Sequence, residues 1–163
     1  MKRKIGFGGG CHWCTEAVFQ SVKGVEVVDQ GWIKSKPPQD NWSEAVIVHF
    51  DDSEIPLQIL IEIHMLTHSS SSMHGLREKY RSAIYPFSNA QKHYCARIIN
   101  QLQLEENEKY ITQVLPYVDF KLNQEEFLNY FATRKDAPFC ETYIRPKLRM
   151  LLKKYGPLIK DVS

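Results

Sequence analysis

The sequence predicts an α+β fold: a ferredoxin-like split β-α-β core with a C-terminal extension. Two observations carry that expectation. Along the first half of the chain the apolar period switches in the order strand, helix, strand, strand, helix, strand. Residues that favour turns and caps punctuate the switches. Length sets the frame, because 163 residues, 43% apolar and 25% charged, can bury one sizeable core but fall short of two ordinary domains. Residues 1–163 are therefore expected to form one domain, and no internal repeat or linker divides them.

Each element has a local reason. Lys4 to Phe7 is a short apolar segment that runs into glycines, and from Trp13 to Val22 the apolar Ala17, Val18 and Val22 recur at near-helical spacing. Strand, tight loop and helix follow. Gly24 to Ile33 is rich in Val and Glu44 to Phe50 alternates around Val46, Val48 and Phe50, with the polar Pro37-Pro38-Gln39-Asp40-Asn41 between them suiting a hairpin. Asp52 to Pro56 has the cap residues and early proline of a helix start, and Leu57, Leu60, Ile61, His64 and Met65 extend it to about Thr67. After the serine-rich loop Ser69 to Ser72, Ser82 to Tyr85 reads as a short strand and Ser88 as the cap of an amphipathic helix to about Glu106. Tyr110 to Phe120 is β-like and interrupted at Pro116, while Gln124 to Phe131 and Lys147 to Lys154 look helical.

Composition removes several function classes. Lys and Arg number 21 against 19 Asp and Glu, a net +2 that argues for no nucleic-acid partner. No stretch approaches the ~18 apolar residues of a membrane span. The basic Met1 to Lys4 is followed by glycines rather than an apolar signal core, so a cytoplasmic protein without a membrane partner is expected. Four cysteines are too few for a disulfide-stapled scaffold of this length.

Two of those cysteines carry the chemistry. Gly8-Gly9-Gly10-Cys11-His12-Trp13-Cys14 places a thiol where a glycine loop enters a helix, and the free N–H groups and positive end of the helix favour thiolate at Cys11 or Cys14. A nucleophile or redox pair is the expected use. The glycines match neither G-x-G-x-x-G nor a loop ending in G-K-[ST], and Thr15 rather than His follows Cys14, which excludes c-type haem. Zinc on Cys11, Cys14, His64 and His68 falls far outside finger spacing, so neither a metal nor another cofactor is expected. Glu44 interrupts an apolar strand; facing inward it would be a desolvated acid, facing outward an ordinary surface carboxylate. Tyr80 and Tyr85 flank Arg81 to Ile84, and these tyrosines, like Trp32 and Trp42, have core packing as their simplest use. Cys140 stands in the proline-bearing Ala137 to Thr142, expected to be a mobile loop from which a thiol can reach an oxidised Cys11, whereas Cys95 reads as a structural mid-helix residue.

Taken together these residues resemble the type A peptide methionine sulfoxide reductases. Gly10-Cys11-His12-Trp13-Cys14 is similar to that family's glycine-cysteine-Phe-Trp-Gly motif, and Glu16 to Gln20, Lys23-Gly24-Val25, Ser43 to Val46, His64 and Tyr80 to Tyr85 continue the match in order. The similarity covers about Ile5 to Ala96, with a weaker echo at Cys140 and Pro146-Lys147-Leu148. The resemblance implies reduction of methionine S-sulfoxide, free or in peptides. Cys11 would attack the sulfoxide sulfur, Trp13 would wall the S-methyl group, Glu44 would protonate the oxygen and Tyr80 would hydrogen-bond it. The resulting Cys11 sulfenic acid would be resolved by Cys14 or Cys140, and thioredoxin would reduce the disulfide. Four departures stand out: His12 replaces the pocket Phe, Cys14 a glycine, Trp32 an oxygen-binding tyrosine and Gly75 a loop aspartate. His12 and Trp32 would then contribute their own N–H groups to the substrate pocket. The alternatives left open are a C-x-x-C disulfide oxidoreductase on Cys11 and Cys14, and a redox-sensing or binding relative with weakened turnover.

Overall fold

A computed structural model of the chain describes residues 1–68 and 79–160; the Ser69 to Ser72 loop and Gly75 lie outside the described residues. Strand β1 (Lys2–Gly8) leads into helix α1 (His12–Gln20), the hairpin β2 (Val25–Lys34) and β3 (Ser43–Asp51), helix α2 (Leu57–Thr67) and strand β4 (Ala83–Tyr85). Helix α3 (Asn89–Glu106), the short strands β5 (Gln113–Val114) and β6 (Asp119–Leu122), helix α4 (Tyr130–Thr133) and helix α5 (Arg145–Tyr155) complete the order. The sheet runs β5-β4-β1-β3-β2-β6, and its inner four strands are antiparallel to one another, which is compatible with a split β-α-β core. Among the described residues no helix is long and apolar enough to cross a membrane.

Period-2 alternation decides which face of the sheet is covered. Ile5 and Phe7 of β1 and Val46, Val48 and Phe50 of β3 share the face packed by Val18, Phe19 and Val22 of α1, Leu60 and Ile61 of α2, Ile98 of α3 and Leu151 of α5. The opposite face carries a smaller cluster of Ile33, Ala45, Ala83, Tyr85 and Leu115. Ser88 caps α3 as expected, its hydroxyl accepting from Gln91 N at 3.1 Å. Cys95 is fully buried among these core side chains, and burial pushes its thiol up to about 12, consistent with a structural residue.

The interruption expected at Pro116 is present: Tyr110 to Phe120 splits about it into β5, parallel to β4 at one edge of the sheet, and β6, antiparallel to β2 at the other. Two local expectations are corrected. Gln124 to Phe131 is not one helix, because Asn129 in the left-handed region (φ 54°) separates a 3-10 turn at Glu125–Phe127 from α4. Helix α2 begins only at Leu57, with Pro56 as its cap residue, so the Asp52 to Ile55 segment is a turn ahead of it.

Attachment of β6 depends on Gly31. A Cβ there would lie 2.1 Å from the Lys121 carbonyl oxygen of the paired strand. Gly31→Ala therefore has to push β6 off β2 at a cost of about 1–3 kcal/mol. The expected result is a thermal midpoint lowered by about 2–4 °C for each kcal/mol, read by a melting curve.

Candidate active site

The Cys11 position is built by the turn out of β1. Gly9 sits at φ +145°, and a Cβ on it would meet His68 Cδ2 at 2.5 Å, so the backbone bends there in a way only glycine tolerates. Cys11 follows as the N-cap residue of α1, half-buried at the positive end of the helix. Its thiol is held below the ordinary range chiefly by the Cys14 thiol donating to it, with the backbone N–H groups of Trp13 and Cys14 adding to this against the opposing effects of burial and the Glu44 charge. Cys14 is pushed far up by the same hydrogen bond and by burial, so the pair comprises an acidic and a reluctant thiol.

The carboxylate is delivered by sheet register. Glu44 shares the face of Val46 and Val48, but lies one step past the core, where the sheet ends beneath the start of α1. It faces inward and is only 6% exposed. Its Oε1 accepts the His12 backbone N–H at 3.2 Å and lies 3.3 Å from His12 Nε2, and its Oε2 is 3.4 Å from Lys79 Nζ. Trp32 pairs with Glu44 across the β2–β3 ladder, which puts the two side chains on one face, and the Trp32 ring sits edge-on to the His12 ring at 5.2 Å. Tyr80 is tied to this group through Lys79, whose ammonium hydrogen-bonds it and lies 5.1 Å from its ring centroid. The Lys79 carbonyl accepts from Glu44 N at 2.8 Å and from Ser43 Oγ at 3.0 Å, anchoring the segment ahead of β4 along β3.

An aromatic wall and the third thiol come from the C-terminal extension. Trp13 stacks on Tyr130 (4.0 Å between centroids, 3° between planes) and meets Phe139 edge-on at 5.4 Å. Glu16, buried on α1, holds that wall: its carboxylate accepts the backbone N–H groups of Asn129 and Tyr130 at 2.9 and 3.0 Å, and burial pushes its pKa up. Cys140 is not in a mobile loop. It is fully buried, opens a π-helical turn (Cys140–Ile144) that leads into α5, donates its thiol to Arg134 O at 3.0 Å and packs in one apolar cluster with Cys14, Phe131 and Leu148, against which Cys11 also rests. Burial pushes the Cys140 thiol up.

Most of the sequence-derived residues thus converge on the start of α1: Cys11, His12, Trp13 and Cys14 themselves, Glu44 and Trp32 from the sheet, and Cys140 from the extension. Tyr80 joins through Lys79. Tyr85 is core, its hydroxyl accepting from Arg81 Nε at 3.0 Å, and Trp42 carries the Lys34 and Lys121 ammonium groups 4.9 and 5.2 Å from its ring. His64 and His68 stack on each other at 4.1 Å, with His64 also against Phe7, and among the described residues no group of three or more His, Cys, Asp or Glu is placed to hold a metal. Sequence reading gave no role at the site to Lys79 or Tyr130 and quoted Glu16 only within the motif match; nothing local distinguishes Lys79 or Tyr130.

Comparison with known proteins finds a family whose sequences match most of the chain. The model of the family described as peptide methionine sulfoxide reductase matches residues 3–157. The peptide methionine sulfoxide reductase MsrA of Psychrobacter cryohalolentis is 31% identical over 163 aligned residues, covering 91% of this chain and 94% of the relative. Among solved structures, methionine sulfoxide reductase A of Corynebacterium diphtheriae superposes with a TM-score of 0.70 at 21% identity, covering 83% of this chain and 76% of that one. Mxr1 from Saccharomyces cerevisiae in complex with Trx2 gives 0.61 at 18% identity, covering 77% and 83%.

Proposed function

This chain belongs to the peptide methionine sulfoxide reductase family, and we propose that it reduces methionine S-sulfoxide, free or in peptides, with Cys11 as nucleophile and Glu44 as acid. The single observation that carries the assignment is the meeting of an acidified thiol and a buried carboxylate at one helix start, the thiol on backbone N–H groups of Trp13 and Cys14 and the carboxylate on that of His12. Sulfoxide reduction needs both. The Cys11 thiolate bonds the sulfoxide sulfur as the oxygen takes a proton from Glu44; the resulting hydroxyl then moves from that sulfur to the Cys11 sulfur, the new S–S bond breaks with its electron pair going to the substrate sulfur, and the thioether leaves with Cys11 as sulfenic acid. Trp13 and its stacked partners supply the apolar wall for the S-methyl group, while Tyr80 and the Trp32 indole N–H donate to the oxygen. His12 closes the floor beneath them.

A resolving thiol then displaces the hydroxyl of the sulfenic acid as water and forms a disulfide, which a dithiol protein of the thioredoxin type reduces; the Mxr1 complex with Trx2 supports that partner. A cytoplasmic setting is part of this reading, in keeping with four cysteines, too few for a disulfide-stapled scaffold of this length. Residues 1–163 act as one catalytic domain in this reading, supported by the span of the family match. A disulfide oxidoreductase working through Cys11 and Cys14 would leave the buried Glu44 without a task. The separating experiment follows consumption of a methyl sulfoxide with dithiothreitol: stoichiometric loss supports the reductase, and no loss overturns it.

The Cys14 thiol already hydrogen-bonds Cys11, so it is expected to form the first disulfide, with Cys140 packed behind it as a second acceptor. Mass spectrometry of protein quenched after one turnover is expected to find a Cys11 to Cys14 bond. Cys14→Ser is expected to accumulate sulfenic acid or to pair Cys11 with Cys140. A Cys11 to Cys140 bond alone at the earliest time would make Cys14 a packing residue.

A further inference from the structure

His12 is a buried imidazole with a polar atom at each ring nitrogen. Its Nδ1 lies 3.0 Å from the Gly31 carbonyl oxygen, which can only accept, so Nδ1 carries a proton. Its Nε2 faces Glu44 Oε1 at 3.3 Å. Oε1 also accepts the His12 backbone N–H at 3.2 Å, but a carboxylate anion this close to an imidazole lone pair, both buried, would still repel it, so a proton lies between them. Asn123 decides on which side. The Asn123 Oδ1 accepts from Gln124 N at 2.8 Å and its Nδ2 donates to Gln30 Oε1 at 2.7 Å, which fixes the amide orientation and leaves its second N–H for His12 Nε2 at 3.4 Å. An N–H directed at Nε2 favours a lone pair there, so the proton between the two groups sits on Glu44 Oε1 and shares that single lone pair with the Asn123 N–H in a three-centre contact. The other charged and titratable groups around the pair are Cys11 and Glu16 on α1, Lys79 on the Oε2 side of Glu44, and Lys121 of β6 over the Trp32 ring at 5.2 Å. Lys79 therefore leaves the Oε1 side to His12.

We propose that His12 is a positioning residue for the acid, holding one proton between its Nε2 and Glu44 Oε1 and keeping that oxygen loaded for the sulfoxide. The proposal rests on the reading of Glu44 as the proton donor. In each cycle the proton passes from Glu44 to the sulfoxide oxygen and leaves the pair one proton short. When the dithiol reductant regenerates Cys11 as a thiol, that thiol ionises and its proton refills the pair, so protons balance over the cycle. The pocket position that is apolar in the resembled motif thus becomes part of the proton path here.

Two measurements test this. In 15N-histidine-labelled wild-type protein, His12 is expected to carry its ring proton on Nδ1, and its Nε2 resonance is expected to move in Glu44→Gln. A neutral ring with the proton on Nε2 and a bare Nδ1 overturns the proposal without any variant having to fold. In a double-mutant cycle, His12→Phe is expected to lower kcat about tenfold with KM within about twofold, the loss of one to two hydrogen bonds to the acid. In the Glu44→Gln background the same substitution is expected to cost under about twofold, because the proton it positions is gone. Losses that simply multiply make His12 a packing residue. A Glu44→Gln enzyme as active as wild type sinks instead the reading of Glu44 as the acid, and the proposal that depends on it.

Discussion

Cys11→Ser is expected to abolish reduction of methionine S-sulfoxide with dithiothreitol as reductant while leaving the fold intact. The reaction is an attack by a polarisable anion on sulfur, and a serine hydroxyl at the same place neither ionises near neutral pH nor forms a sulfenic acid that a second thiol can resolve. The other side of the prediction is structural. Cys11 is the N-cap residue of α1, and serine is among the favoured residues at that position, so the variant is expected to melt at or slightly above the wild-type midpoint. Loss of sulfoxide consumption with an unchanged melting curve therefore isolates the chemistry. Because the Cys14 thiol and the helix-start N–H groups hold the Cys11 thiol down, the thiolate is present above that lowered value and alkylation by iodoacetamide persists to lower pH than for an ordinary cysteine. Turnover by the serine variant would remove Cys11 from the mechanism.

Glu44→Gln has the next largest expected effect, a fall in kcat of about 10²- to 10³-fold, the scale of a lost general acid. The amide keeps the size of the side chain and can still accept the His12 backbone N–H, but it carries no proton for an oxygen that is too basic to leave bare. Rates measured from pH 5 to pH 9 are expected to stay depressed throughout, and an unchanged rate over that range would exclude Glu44 as the donor. The loss should fall on kcat rather than on KM, because the proton matters only as Cys11 bonds the sulfoxide sulfur.

Local chemistry was enough to place an activated thiol at Cys11 or Cys14, and the resemblance chose Cys11. A glycine run ending in cysteine at the start of an apolar periodic segment can do little but turn the chain and present a thiol to free N–H groups, and the structure has Cys11 there. Alternation placed Glu44 on a strand but left its direction open, since period 2 says only that it faces the same way as Val46. Which way Val46 faces depends on the helices that cover the sheet, and their position is a property of the packed fold. Cys140 is the reverse case: proline-bearing local sequence suggested a mobile loop, and burial against Cys14, Phe131 and Leu148 overrode that preference.

The sequence by itself therefore determined the order of strands and helices through the switch of period, the redox chemistry through the thiols at a helix start, and the family through an ordered run of motifs. Only the tertiary structure decided the partners. Tyr130, Cys140 and Asn123 reach the start of α1 from more than 100 residues away, and Lys79 reaches Glu44 from the segment ahead of β4. The physical reason is that period and capping act within a few residues, whereas the place where a side chain ends is set by sheet register and by which apolar surfaces bury one another. Glu16 makes the point in one residue: its spacing marks it as helical, and only the docking of Asn129 and Tyr130 onto its carboxylate gives the buried charge its hydrogen bonds.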